Sequence, residues 1–318
     1  KEKFGWYSDD AAKSVKHFAK SLGIYSKIIE VDSPDNKSLK KVEALIPNYD
    51  CTIFFARLGD QNRFEHFKTK GKRVMSYARS AKALSSVYST VNHSAMVELK
   101  ESINSIFLNS RYVEVLCPLG TNLFGKMLEA KYYFETDVKV LRFPMLVPMP
   151  IFASTFNGKV IISKYLTSTG SQVYRPNSLK LSKPLAVTIL NGRIDKVAGL
   201  RSDIENFNTH YELVSKKFNL DKNNVHSWHA GIHPGTEYDK IIDNDPDQWS
   251  NSIFGSPRYL HFHTCGELPP GEICWMILNP TVKVDSKALW ENGSLKVKQF
   301  DTTKVCLEKW PELFHLYR

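Results

Sequence analysis

Apolar positions recur with a helical period in DDAAKSVKHFAKSLG, at Ala12, Val15, Phe18 and Ala19, and Gly23 supplies a stop. IYSKIIEV reads as a strand and SLKKVEALI as a short helix. CTIFFARL is a continuous apolar run, the mark of a strand buried on both faces, and RVMSYA follows as another strand. SAMVELKESINSIFLNS places Met96, Leu99, Ile103, Ile106 and Phe107 along one helical stripe. YVEVLCPLGTN reads as a strand ending in a Gly turn. This alternation predicts an α/β N-terminal domain over residues 1–145, with helices on the faces of a largely parallel sheet.

The pattern changes in VLRFPMLVPMPIFASTFNGKV, where Pro144, Pro148 and Pro150 interrupt both helix and strand. A domain boundary is placed there. Residues 146–318 hold many short apolar runs separated by Gly, Pro, Asn and Asp: KVIISKYL, RYLHFHTC, EICWMILN and TVKV among them. VTILNGRIDKVAG predicts a hairpin turning at Asn191-Gly192, and VDSKALWENGSL repeats the logic at Asn292-Gly293. One helix, LRSDIENFNTHYELVSKKFN, lies between them. The second domain is therefore expected to be a β-rich α+β domain.

Composition narrows the function classes. The chain has 318 residues, 42% hydrophobic and 24% charged, enough for two domains with ordinary cores. It contains no apolar run of about 18 residues, so no membrane-spanning helix is expected. The opening KEKFGWYSDD lacks the apolar stretch of a signal peptide, and it begins without Met, as part of a longer chain would. Five cysteines, odd in number and widely spread, suit free thiols in a reducing cytoplasm better than a disulfide framework. The net charge of +10 comes from lysines scattered along the chain, with short clusters such as KTKGKR at 68–73 and no nucleic-acid motif, so a solvated basic surface is expected and no nucleic-acid partner.

Histidine is where the sequence concentrates chemistry. His226, His229, His233, His261 and His263, half of the ten histidines, fall between VHSWHAGIHPGTEY and RYLHFHTCGELPPGEICWM. The same window adds Cys265, Glu267, Glu272 and Cys274, so imidazole, thiolate and carboxylate, the groups that bind transition metals and move protons, are brought together. In a strand, residues i and i+2 share a face, which puts His261, His263 and Cys265 on one side of RYLHFHTC and Glu272 and Cys274 on one side of EICWMIL. A hairpin turning through GELPPG would bring these groups near one another. His261, His263 and Glu272 then form the expected metal ligands, two imidazoles and a carboxylate as in a facial triad. HAGIHPGTEY reads as a loop, because Gly231 and Pro234-Gly235 oppose a helix, and His229 and His233 become the expected acid/base or supporting groups. Cys265 and Cys274 are expected to be small buried residues, with Cys265 as a nucleophile the alternative. The zinc-protease HExxH, GxGxxG, Walker A and GxSxG motifs are absent.

The order of segments resembles the thermophilic aminopeptidases (aminopeptidase T-like) and their relative 2,5-dihydroxypyridine 5,6-dioxygenase. The resemblance is carried by DCTIFFARLGDQNR and RYVEVLCPLGTNL in the first half, and by NGRI, GIHPGT, LHFHTCG and NPTVKVD in the second. It implies an α/β N-terminal domain, a β-rich C-terminal domain holding the metal, and a homodimer. The implied ligands map in part. Ser227 stands at a family carboxylate position, and His261 matches a family histidine with one extra residue before Gly266. Glu272 and Cys274 stand where the family has His-x-Asp.

The resulting expectation is a mononuclear metal-dependent oxidoreductase, with iron(II) favoured and zinc the alternative, acting on a small aromatic or peptide-derived substrate. A zinc or two-metal aminopeptidase-like hydrolase is the second reading. A non-catalytic protein that holds a peptide or a partner in the old cleft is the third.

Overall fold

The computed structural model describes every residue except 4, 33–35, 62–70, 137–139, 170–173, 267–270 and 318. The end of DCTIFFARLGDQNR, part of the KTKGKR cluster, Glu267 and the GELPPG turn therefore lie outside the described residues. The chain divides into two compact units, Lys1–His93 with Thr136–Met145, and Ser94–Glu135 with Leu146–Arg318.

The first unit is α/β. Its parallel sheet has strand Lys72–Ser76 between Cys51–Phe54 and Leu141–Phe143. Helix Asp9–Ser21 buries Ala11 and Ala12, which join Trp6, Tyr7, Ile46, Phe54, Phe55, Met75 and Val140 in the core. The expectation that CTIFFARL is buried on both faces holds only for its second half. Phe54, Phe55, Ala56 and Leu58 are buried, but Cys51 is exposed and Ile53 is 41% exposed, because Cys51–Phe54 is an edge strand. IYSKIIEV forms no strand. Ile24 and Tyr25 face solvent, and the segment reaches only a single bridge from Val31 to Glu2. An apolar run makes a strand only where a neighbour takes its backbone hydrogen bonds.

The second unit is built on two antiparallel sheets. One has eight strands, in the order Arg193–Ala198, Leu185–Leu190, Asn157–Ile162, Asn122–Lys126, Tyr112–Leu116, Thr281–Val284, Lys287–Glu291 and Ser294–Leu295. The other has six: Ile151–Phe152, Val225–Ala230, Tyr259–Thr264, Ile273–Leu278, Tyr165–Ser168 and Ser178–Lys180. Residues 94–135, read from the sequence as part of the parallel-sheet domain, belong to this unit. Tyr112–Leu116 pairs antiparallel with Asn122–Lys126 and Thr281–Val284. YVEVL alternates, with Val113 and Val115 buried and Tyr112 outward, and that pattern belongs to a one-sided antiparallel strand rather than to a parallel strand covered on both faces.

Helix His93–Leu108 turns Met96, Leu99, Ile103, Ile106 and Phe107 inward, as its stripe required. The Phe107 ring lies 6.0 Å from that of Trp228 and 6.1 Å from that of Trp290. Both Asn-Gly turns form, with φ of 49° and 69° at Asn191-Gly192 and 48° and 79° at Asn292-Gly293, the positive pair that suits the twist of a two-residue hairpin. Helix Arg201–Phe218 ends at Asn219 in the left-handed region. Helix Pro246–Ile253 is additional to the elements expected from the sequence. Its signal is DPDQ: Asp245 accepts the Gln248 backbone N–H at 2.8 Å, and Pro246 opens the first turn. No helix among the described residues is long and apolar enough to cross a membrane.

Candidate metal centre

Strands Val225–Ala230 and Tyr259–Thr264 run antiparallel, with His229 opposite His261 and Ser227 opposite His263. The core fixes this register. Trp228, Leu260 and Phe262 are fully buried on the other face of the same two strands, and a one-residue slip would turn them out to solvent. Alternation then leaves His229, His261 and His263 together on the opposite face. A bulge between Val225 and Ser227 adjusts the pairing just upstream.

Each of the three histidines offers a ring nitrogen, and these nitrogens all lie within 4.8 Å of one another. Ring centroids are 5.0 Å apart for His229 and His261, 4.9 Å for His261 and His263, and 5.4 Å for His229 and His263. The His229 and His261 rings are nearly parallel, and His263 stands across both. His261 is buried, while His229 and His263 are half-buried.

Two of the rings have their orientation set from behind. His229 Nδ1 lies 3.0 Å from the Pro148 carbonyl oxygen. A carbonyl only accepts, so the proton is assigned to Nδ1 and the lone pair to Nε2. His263 Nδ1 lies 3.0 Å from Glu272 Oε1, and a carboxylate oxygen at that distance makes the same assignment. The contact lies outside hydrogen-bond alignment, so the carboxylate acts on the neutral ring mainly through its charge. Backing of Nδ1 by a carbonyl or carboxylate is the usual setting of a histidine that gives Nε2 to a metal.

An apolar wall adjoins the cluster. Phe254 meets the His261 ring edge to face at 5.6 Å, and Met276 lies opposite His261 in the register. Tyr165, Trp249, Ile253 and Met276 form a buried cluster that Phe254 and Tyr259 join. Helix Pro246–Ile253 is tied to strand Tyr165–Ser168 by Thr167 Oγ1 donating to Ser250 Oγ at 2.7 Å and Ser168 Oγ donating to Asp247 Oδ1 at 2.6 Å. Asn177 Nδ2 also donates to the buried Asp247 carboxylate, at 3.1 Å.

The sequence-derived site residues thus separate. His261 and His263 come together as expected, on one face of one strand. His229 lies in a strand rather than in a loop, and it joins them. Its signal was VHSWHA, where Val225, Trp228 and Ala230 turn into the core and His229 turns outward. Glu272 is at the site, on the Nδ1 edge of His263 and outside the three-nitrogen group. His233 is fully buried beyond the strand end, where its Nδ1 accepts the Gly235 N–H at 3.1 Å and its backbone N–H donates to the Gly255 carbonyl at 2.7 Å. Cys274 faces His263 across the next strand pair. Cys265 does not share the histidines' face, because it lies past the strand end with a φ of 68°. Burial pushes its thiol up to about 12, which removes the thiolate that nucleophilic chemistry would need.

No protein-family model matches the chain, and no curated protein matches it. Among solved structures it is similar to a 2,5-dihydroxypyridine dioxygenase from Pseudomonas putida KT2440, with a TM-score of 0.60 and 9% identity over 95% of this chain and 91% of that one. A second similarity, to wild-type AmpT from Thermus thermophilus, has a TM-score of 0.35 and 10% identity over 66% of this chain and 56% of that one. The first likeness is one of fold, and it spans both units of the chain.

Proposed function

We propose that the protein is a mononuclear metal-dependent enzyme whose centre is held by His229, His261 and His263. The observation that carries this reading is the convergence of three imidazole nitrogens within 4.8 Å on one sheet face. The donor set fits one ion. Nitrogens bound to a common metal at about 2.1 Å stand roughly 3 to 4 Å apart, so small ring rotations suffice. Three imidazoles suit iron(II) and zinc alike. The fold shared with a dioxygenase makes iron(II) the metal to try first, and the chemistry an oxidation of a small aromatic or peptide-derived substrate. A bound divalent ion supplies a Lewis-acidic position and, as iron, an electron source.

The chain's own residues do the rest. Pro148 O and Glu272 hold the His229 and His263 rings with Nε2 presented. Phe254 and Met276 keep water from one side of His261. His229 thereby moves from acid/base to ligand, and Glu272 from ligand to support. His233, with Nδ1 taken by Gly235, holds the turn after strand Val225–Ala230. The resemblance read from the sequence adds a homodimer, to be checked by light scattering of the purified chain, and the few scattered cysteines add a cytoplasmic location.

Metal analysis of anaerobically purified protein, followed by titration with iron(II) and zinc, tests the centre. One equivalent per chain, lost in His261→Ala, is expected. No metal and no uptake would remove the proposal. A mononuclear zinc hydrolase is the second reading, favoured by the all-imidazole donor set, which zinc takes readily. It predicts zinc- or cobalt-dependent release of amino acids from short peptides and no oxygen consumption.

A further inference from the structure

The donor set leaves a charge to be balanced. Neutral imidazoles add nothing to the double charge of a divalent ion. In a partly buried site such a charge acts strongly on its surroundings, because water screens it less. The carboxylate of Glu272 is 2% exposed and stands 3.0 Å from His263 Nδ1, at the ring edge away from Nε2. The contact is not an aligned hydrogen bond, and a neutral imidazole forms no ion pair, so what Glu272 contributes is its own negative charge beside the centre. Among the described residues, this one negative charge against two positive leaves a single positive charge. The wall next to it, from Phe254 and Met276, is apolar.

We infer that Glu272 is a charge-balancing and positioning residue outside the ligand set, and that the exchangeable ligand of the centre is a monocarboxylate with an apolar body. The inference rests on the three-histidine reading of the site. It has a consequence that packing alone does not produce. Removing the Glu272 charge weakens hold on the metal, because His263 loses its support, and strengthens hold on the anion, because the centre becomes more positive.

The test uses the full chain loaded with cobalt(II) at constant pH, with benzoate and benzamide as probes of nearly equal shape and different charge. Benzoate is expected to perturb the cobalt absorption spectrum at concentrations about tenfold or more below those at which benzamide does. Glu272→Gln is expected to weaken cobalt binding about tenfold and to tighten benzoate binding by a similar factor. Circular dichroism establishes that the variants fold, and His229→Gln stands in if His229→Ala does not. A wild-type chain that takes up no cobalt overturns the three-histidine reading and this inference with it. A wild-type chain that binds cobalt, with His229→Ala unaffected and Glu272→Gln unable to bind, makes Glu272 a ligand and overturns the inference alone. Benzamide binding as tightly as benzoate, or Glu272→Gln matching wild type in both affinities, also overturns it.

Discussion

His210 should make the second unit sensitive to mild acid. It lies on helix Arg201–Phe218, is 4% exposed, and among the described residues neither ring nitrogen has a hydrogen-bond partner. The neighbouring group is the Tyr174 ring, at 5.9 Å. Burial lowers its pKa from 6.5 to about 4. The unfolded chain therefore binds a proton between those values that the native chain refuses, so stability rises with pH across this window and falls as acid is added. At pH 5 the two pKa values correspond to a loss of about 2 kcal/mol relative to pH 8, approaching about 3 kcal/mol below pH 4. His210→Leu removes the titration and keeps a similar volume. Urea unfolding followed by fluorescence at pH 5 and pH 8, for wild type and variant, isolates the term, because the other titrating groups cancel in the double difference. The variant should lose about 2 kcal/mol less between the two pH values, and at pH 8 it should be at least as stable as wild type. Equal pH dependence in the two proteins would refute the reasoning, since it would mean that His210 protonates freely in the folded state.

Other perturbations have equally definite directions. His229→Ala should lower metal affinity by about a hundredfold or more, like His261→Ala and beyond the effect of a supporting residue, as read by competition with a chelator. Gly231→Ala should destabilise by about 2 kcal/mol or more, since its Cβ would stand 2.2 Å from the Ser256 carbonyl oxygen and 2.4 Å from Gly255 C, both backbone atoms; thermal unfolding reads this. Asp247→Ala should cost roughly 1–3 kcal/mol, because it strands the buried Ser168 hydroxyl and the Asn177 amide, and urea unfolding should report it.

The parts of this protein that local chemistry decides were legible in its sequence. Asn191-Gly192 and Asn292-Gly293 are such parts, because only a few residues tolerate two successive positive φ angles. His261 and His263 are another, because period-2 alternation in a strand leaves little choice of face. What depends on a distant neighbour was not legible. IYSKIIEV lacks a strand to pair with over its length, and no residue within it carries that information. YVEVL found its partners in Thr281–Val284, far along the chain, so its place in the second unit is set by residues that had not been connected to it. His229 entered the site through pairing with His261, a fact of register rather than of spacing. Helix Pro246–Ile253 was readable from Asp245 and Pro246, but it is short and its apolar face is modest.

Strands Val225–Ala230 and Tyr259–Thr264 have two faces with separate duties. Trp228, Leu260 and Phe262 answer to the core, whereas His229, His261 and His263 answer to one another and to Pro148, Phe254 and Glu272 around them. Substitutions at the three outward positions can exchange one set of donors for another while the pairing that places them stays as it is. The scaffold is in that sense a socket: its shape is inherited from the hydrophobic side, and its reactivity is assigned residue by residue from the other. A chain with this fold can therefore change what it presents on that face without changing the pairing that presents it.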